Sequence, residues 1–99
     1  LTPNSWPELA RIIDQIYDDL PVGLSEVYPQ LSVDDVRLCC MIIVGLSSSE
    51  IAQVLDIRTE SVYRKRRRLK KKLSLGEKDS LREHLLRFID RMADDPRAV

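Results

Sequence analysis

Residues 45–73 read GLSSSEIAQVLDIRTESVYRKRRRLKKKL, and the reading of this stretch decides the fold. Ser47 and Glu50 stand three apart in the S-x-x-E spacing of a capping box. In that arrangement a serine hydroxyl and a glutamate carboxylate reciprocally satisfy the free amide groups of a helix start. A short helix follows to about Leu55, with Ile51, Ala52, Val54 and Leu55 apolar. After the turn Asp56-Ile57-Arg58, Thr59 is placed to cap a long helix running to about Leu73. A short and then a long helix joined by a tight turn make the helix-turn-helix arrangement. Ala52 is small where the two helices must cross closely, and Ile57 is apolar where the angle between them needs a plug.

On a wheel of about 100° per residue, Val62, Leu69 and Leu73 fall within one narrow stripe, which predicts the buried face of the second helix. Arg66 lies beside that stripe and is expected to snorkel from its edge. The opposite side carries Glu60, Tyr63, Arg64, Arg67, Arg68 and Lys71. Arginine can bind guanine O6 and N7 in a bidentate way, whereas lysine supplies mainly sequence-independent attraction to phosphate. The amino-terminal half of such a helix approaches the bases, so Ser61, Tyr63, Arg64 and Arg67 are the expected readout residues. Lys65, Arg68 and Lys71 are expected on the backbone, Lys72 adds general attraction to phosphate, and Thr59 at the helix start completes the expected DNA-binding set.

The formal net charge of zero conceals a strong division. Residues 1–57 hold two basic against nine acidic residues, net −7; residues 58–72 hold nine basic against Glu60, net +8; residues 73–99 are at −1. The excess positive charge thus sits in one 15-residue window, the electrostatic footprint of a polyanion partner. A merely solvated helix face usually interleaves acids at helical spacing, and this window barely does.

Working outward, the rest of the chain also reads as helices. Ser5-Trp6-Pro7-Glu8 has capping-box spacing, and apolar residues follow at Leu9, Ile12, Ile13, Ile16, Tyr17 and Leu20 before Pro21 ends the helix. Residues 22–30 read as a short helix or turn closing at Tyr28-Pro29. Ser32 caps a segment over 33–45, with Val36, Cys39, Cys40, Ile43 and Val44 inward and Gly45 as terminator. Gly76 and Asp79 punctuate a last start, and a final helix to about Asp94 carries the stripe Leu81, Leu85, Phe88, Ile89 and Met92. The expected fold is all-α: a helix-turn-helix four-helix core over 31–75, an additional helical extension over 1–30, and a long carboxy-terminal helix within 76–99 available for dimerisation. The chain starts at Leu1 rather than methionine, which suggests a piece of a longer protein.

From Gly45-Leu46-Ser47 through Glu50-Ile51-Ala52, Leu55 and Ile57 to Ser61-Val62 and Lys71-Lys72-Leu73, the chain resembles the LuxR/GerE-type DNA-binding domain. That family's pattern is G-L-S-x-x-E-I-A-x-x-L-x-I-S-x-x-T-V followed by K-K-L, and the spacing holds here without gaps over about 31–75. With Tyr28-Pro29-Gln30-Leu31-Ser32, Arg37-Leu38-Cys39 and the Trp6 helix, the chain is similar to the carboxy-terminal segments of large bacterial sensor-regulators. The resemblance implies a four-helix core, duplex DNA as partner of the second motif helix, a homodimer, and an upstream sensor region in the same chain. The family often has histidine where Lys65 stands, and its corresponding helix is usually less arginine-rich than Arg64–Arg68.

Other chemistries find little footing. His84 is the sole histidine, and Arg82, Glu83 and Arg87 around it read as a solvated helix face, so no catalytic residue and no enzyme activity is expected. Adjacent Cys39 and Cys40 in an apolar run cannot bridge without heavy strain, nor do two cysteines alone make a zinc site. They read as small buried side chains in a reducing, cytoplasmic setting, with no metal and no cofactor. No stretch approaches the about 18 apolar residues of a membrane span. Two readings remain beside DNA binding. One is a protein-interaction module, using the acidic half or the last helix for a partner or for dimerisation, or folding that half back over the basic helix. The other is an RNA or RNA-polymerase contact through the basic face.

Overall fold

The computed structural model describes residues 6–17 and 19–94, with side chains through residue 91. Within them are six α-helices and no strand: α1 (Trp6–Ile16), α2 (Leu20–Val27), α3 (Val33–Ile43), α4 (Ser48–Leu55), α5 (Thr59–Lys72) and α6 (Leu81–Asp94). The protein is all-α, as the periodicity predicts.

α3 is the hub. Its run Val36, Leu38, Cys39, Cys40, Met41, Ile42 and Ile43 is buried almost without interruption, and a helix that is apolar nearly all round must be covered on several sides. α2, α5 and α6 all pack on it, and α4 packs on α5. One continuous core joins Leu9 and Ile13 of α1 to Leu20 and Leu24 of α2, then to Ile51, Val62 and Leu69, and finally to Leu81, Leu85 and Phe88 of α6. The three segments expected from sequence, 1–30, 31–75 and 76–99, therefore share a single interior.

The caps explain the boundaries. Ser47 and Glu50 form the expected capping box on α4, with Ser47 Oγ accepting from Glu50 N–H at 3.1 Å and Glu50 Oε1 accepting from Ser47 N–H at 2.9 Å. Ser32 caps α3 in the same manner, with Asp35 in the glutamate's place. Three helices then end alike. After α3, α4 and α5 the chain turns through a left-handed residue, Gly45 (φ 93°), Asp56 (φ 55°) and Ser74 (φ 59°) respectively. The next amide donates back across six residues: Leu46 to Met41 O, Ile57 to Ala52 O and Leu75 to Lys70 O. This is the Schellman closure.

Three expectations change. The first helix does not reach Leu20: α1 stops at Ile16, Asp19 takes a left-handed conformation (φ 56°), and Leu20 opens α2 with Pro21 in its first turn. Proline fits there because a first-turn amide has no intrahelical acceptor to lose. Thr59 does not cap α5; it is the first helical residue, and Arg58 occupies the cap position without a side-chain hydrogen bond. His84 is half-buried rather than fully solvated: its Nε2 lies 3.2 Å from the Tyr28 hydroxyl, and Tyr28 in turn packs its ring 5.7 Å from that of Phe88. The capping box expected at Ser5 and the core position at Met92 lie outside the described side chains.

Candidate nucleic-acid interface

α4 and α5 are joined by Asp56–Arg58, and the Ile57 side chain packs partly buried against the core between them. Ala52 is buried at this contact. The inner face of α5 is fixed as the wheel predicts: Val62 and Leu69 are fully buried and Leu73 nearly so. With that face locked into the core, the orientation of the outer face is locked too.

That outer face carries Tyr63, 58% exposed although aromatic, together with the exposed side chains of Arg64, Arg67, Arg68 and Lys71. None of these four cations pairs with an acidic side chain among the described residues. Like charges so close repel one another, and the core contact on the other side holds them in place. Thr59 and Ser61 are half-buried at the start of α5. Lys65 is half-buried as well; it borders a small pocket of about 210 Å³ between α3 and the α4–α5 turn, opposite Asp34 and Leu55. Arg66 sits at the edge of the buried stripe, where burial pushes its guanidinium pKa down against the opposing influence of Tyr63.

The basic residues of α5 thus divide into two groups that sequence does not separate. Lys72 is an exception to the expected phosphate set. Its Nζ forms an ion pair with Asp35 at the start of α3, and its carbonyl accepts from Gln30 Nε2 at 3.1 Å. Lys70 Nζ donates to Glu77 O at 3.0 Å. These two lysines tie the carboxy-terminal end of α5 to α3 and to the following loop, and they also complement the negative end of the helix dipole. Asp35 answers in its titration. Burial alone would raise its carboxyl pKa, but hydrogen bonds from Lys72 and from the Ser32 amide and hydroxyl, with the charge of Lys72, hold it below the ordinary value. The partner of Lys72 lies 37 residues away, beyond the reach of helical periodicity.

Elsewhere, Cys39 and Cys40 are buried free thiols whose pKa values are pushed up to about 12 by burial, with the nearby Asp35 and Asp14 charges adding to the effect. No described helix is long and apolar enough to cross a membrane. No protein-family model matches the chain, and neither curated proteins nor solved structures give a match.

Proposed function

We propose that this chain is a sequence-specific, duplex-DNA-binding domain of a bacterial transcription regulator, with α5 entering the major groove. The observation that carries the reading is the two-sidedness of α5: Val62 and Leu69 are buried, while Arg64, Arg67, Arg68 and Lys71 are exposed and pair with no acid among the described residues. A rigid helix with a cationic outer face suits a groove about 12 Å wide lined by phosphates. The likeness of residues 45–73 to the LuxR/GerE pattern supports duplex DNA over other polyanions, and with it a homodimer, an upstream sensor region and work in the cytoplasm.

In this reading Ser61, Tyr63, Arg64 and Arg67 face base edges, while Arg68 and Lys71 contact phosphates. Lys65 reaches the backbone from its half-buried position, and Thr59 marks the amino-terminal edge of the footprint. Selection of bound sequences from a random duplex library tests the proposal. Recovery of a consensus, arranged as an inverted repeat, is the expected result. Affinity should also fall steeply with salt, as for about five or more phosphate contacts per protomer. Recovery of no consensus together with a flat salt response would overturn it.

A further inference from the structure

A second surface, built by α1, α2 and α3, has a composition opposite to that of α5. Among the described residues the exposed large hydrophobics are Ile12, Ile16, Val22, Val27 and Val33 on these three helices, and Tyr63 on α5; of these, Val22 and Val33 line one groove. Between the helices runs a groove of about 570 Å³ whose walls include Trp6, Pro21, Val22 and Val33. Val22 is 56% and Val33 69% exposed, so the apolar walls open to solvent. Asp14 and Glu26 line the same groove, within a region, residues 1–57, that carries net −7. Among the described residues the one cation on its walls is Arg37, which stacks on Trp6 with its guanidinium 5.2 Å from the ring centre and leaves the walls with two acids against one base.

We propose that this groove docks a basic amphipathic helix of another protein, apolar side chains at i, i+3 and i+4 spacing entering between α1 and α2 while lysines or arginines meet Asp14 and Glu26. Helix-in-groove recognition reads such anchors, and charge complementarity selects the sign of the partner. Other occupants fit less well. Two copies meeting across a two-fold axis would bring one acidic surface against itself. The exposed side of a second copy's α5 is basic but offers only Tyr63 as an apolar group, so it cannot fill apolar walls. An oriented small ligand needs convergent buried polar groups, and no polar residue is buried among those described. The acidic rim disfavours an anionic membrane.

The experiment uses the 99-residue chain and three synthetic helical peptides free of tryptophan: a Leu/Lys amphipathic peptide, its Leu/Glu counterpart, and a Ser/Lys peptide of equal charge. Trp6 is the sole tryptophan of the chain and lies in the groove, so its emission reports occupancy directly. The Leu/Lys peptide should shift that emission saturably, with a one-to-one complex by analytical ultracentrifugation. Glu26→Lys and Val22→Ser, both at exposed positions, should each weaken binding by about tenfold while leaving thermal unfolding and duplex-DNA affinity unchanged. Absence of a Trp6 response would overturn the proposal. So would equal binding of the Ser/Lys peptide (charge alone), equal binding of the Leu/Glu peptide (apolar contact alone), or a chain dimer that protects Trp6 without peptide. Because α5 is untouched, failure here leaves the DNA reading standing, and the reverse holds too.

Discussion

At the scale of single residues, the basic side chains of α5 separate by what holds them. Arg64 is exposed and has no ion-pair partner among the described residues; if it reads a guanine edge, Arg64→Ala costs about 1–3 kcal/mol of DNA affinity and relaxes preference at one base position. Lys71→Ala should instead weaken all duplexes alike and lower the salt slope by about 1. Comparing the two variants against the selected consensus and a scrambled duplex at several salt concentrations distinguishes the roles. Lys72→Ala is expected to behave differently from both, losing folding stability through its Asp35 pair while leaving specificity intact. Helical periodicity made the outward position of Arg64, Arg67 and Lys71 legible, because a wheel needs only local spacing. It could not reveal that Lys72 is occupied, since that depends on how α5 lies across α3. His84 was read incompletely for the same reason: charged residues do surround it, but its hydrogen-bond partner Tyr28 lies 56 residues away.

At the scale of elements, the serine caps of α3 and α4 were legible, whereas the Thr59 cap and the break between α1 and α2 were not. The Ser47–Glu50 box forms as its spacing requires, and Ser47→Ala should cost about 1 kcal/mol in thermal or chemical unfolding. The left-handed closures of α3, α4 and α5 make a further comparison. Gly45 adopts its conformation freely, whereas Asp56 and Ser74 adopt theirs at a cost. Gly45→Ala is therefore expected to destabilise by about 1 kcal/mol, and Asp56→Gly to stabilise by about 0.5 kcal/mol, the strain relieved exceeding the added unfolded-chain entropy. Denaturant midpoints of the two variants test the opposite signs. The break between α1 and α2 was hidden because Leu20 continues the apolar spacing of α1 while Pro21 suits either the end of one helix or the first turn of the next. Choosing between them required the packing of Leu20 and Leu24 on α3.

For the whole molecule, one core shared by all six helices implies cooperative unfolding, and its pH dependence has a definite sign. His84 has its pKa lowered by burial first and then by Arg91 and Arg87, against the opposite pull of Asp79. Stability from its neutral ring is complete above the ordinary histidine value, about 6.5, and is lost as pH falls through the lower folded-state value. The depressed carboxyl of Asp35 acts in a more acidic window: its contribution is present above about pH 3.9 and lost below it. Unfolding midpoints should thus decline in two stages on acidification, with His84→Gln flattening the first and Asp35→Asn the second. A single stage in the wild-type chain, unchanged by either substitution, would contradict this account. The buried thiols add another whole-molecule readout: alkylation of Cys39 and Cys40 at pH 8 should be slow in the folded chain and rapid once it unfolds.

The division of charge between α5 and the helices that precede it also governs how the molecule travels before it touches anything. A body with no net charge feels no overall pull toward a polyanion, yet opposite charges on separate parts of it feel a torque. If α5 meets duplex DNA as proposed, approach within the Debye length, about 8 Å at physiological ionic strength, turns the chain so that α5 leads and the acidic helices trail. In that case the field that draws α5 in repels Asp14 and Glu26 of the groove, so the two proposed partners do not compete for one surface.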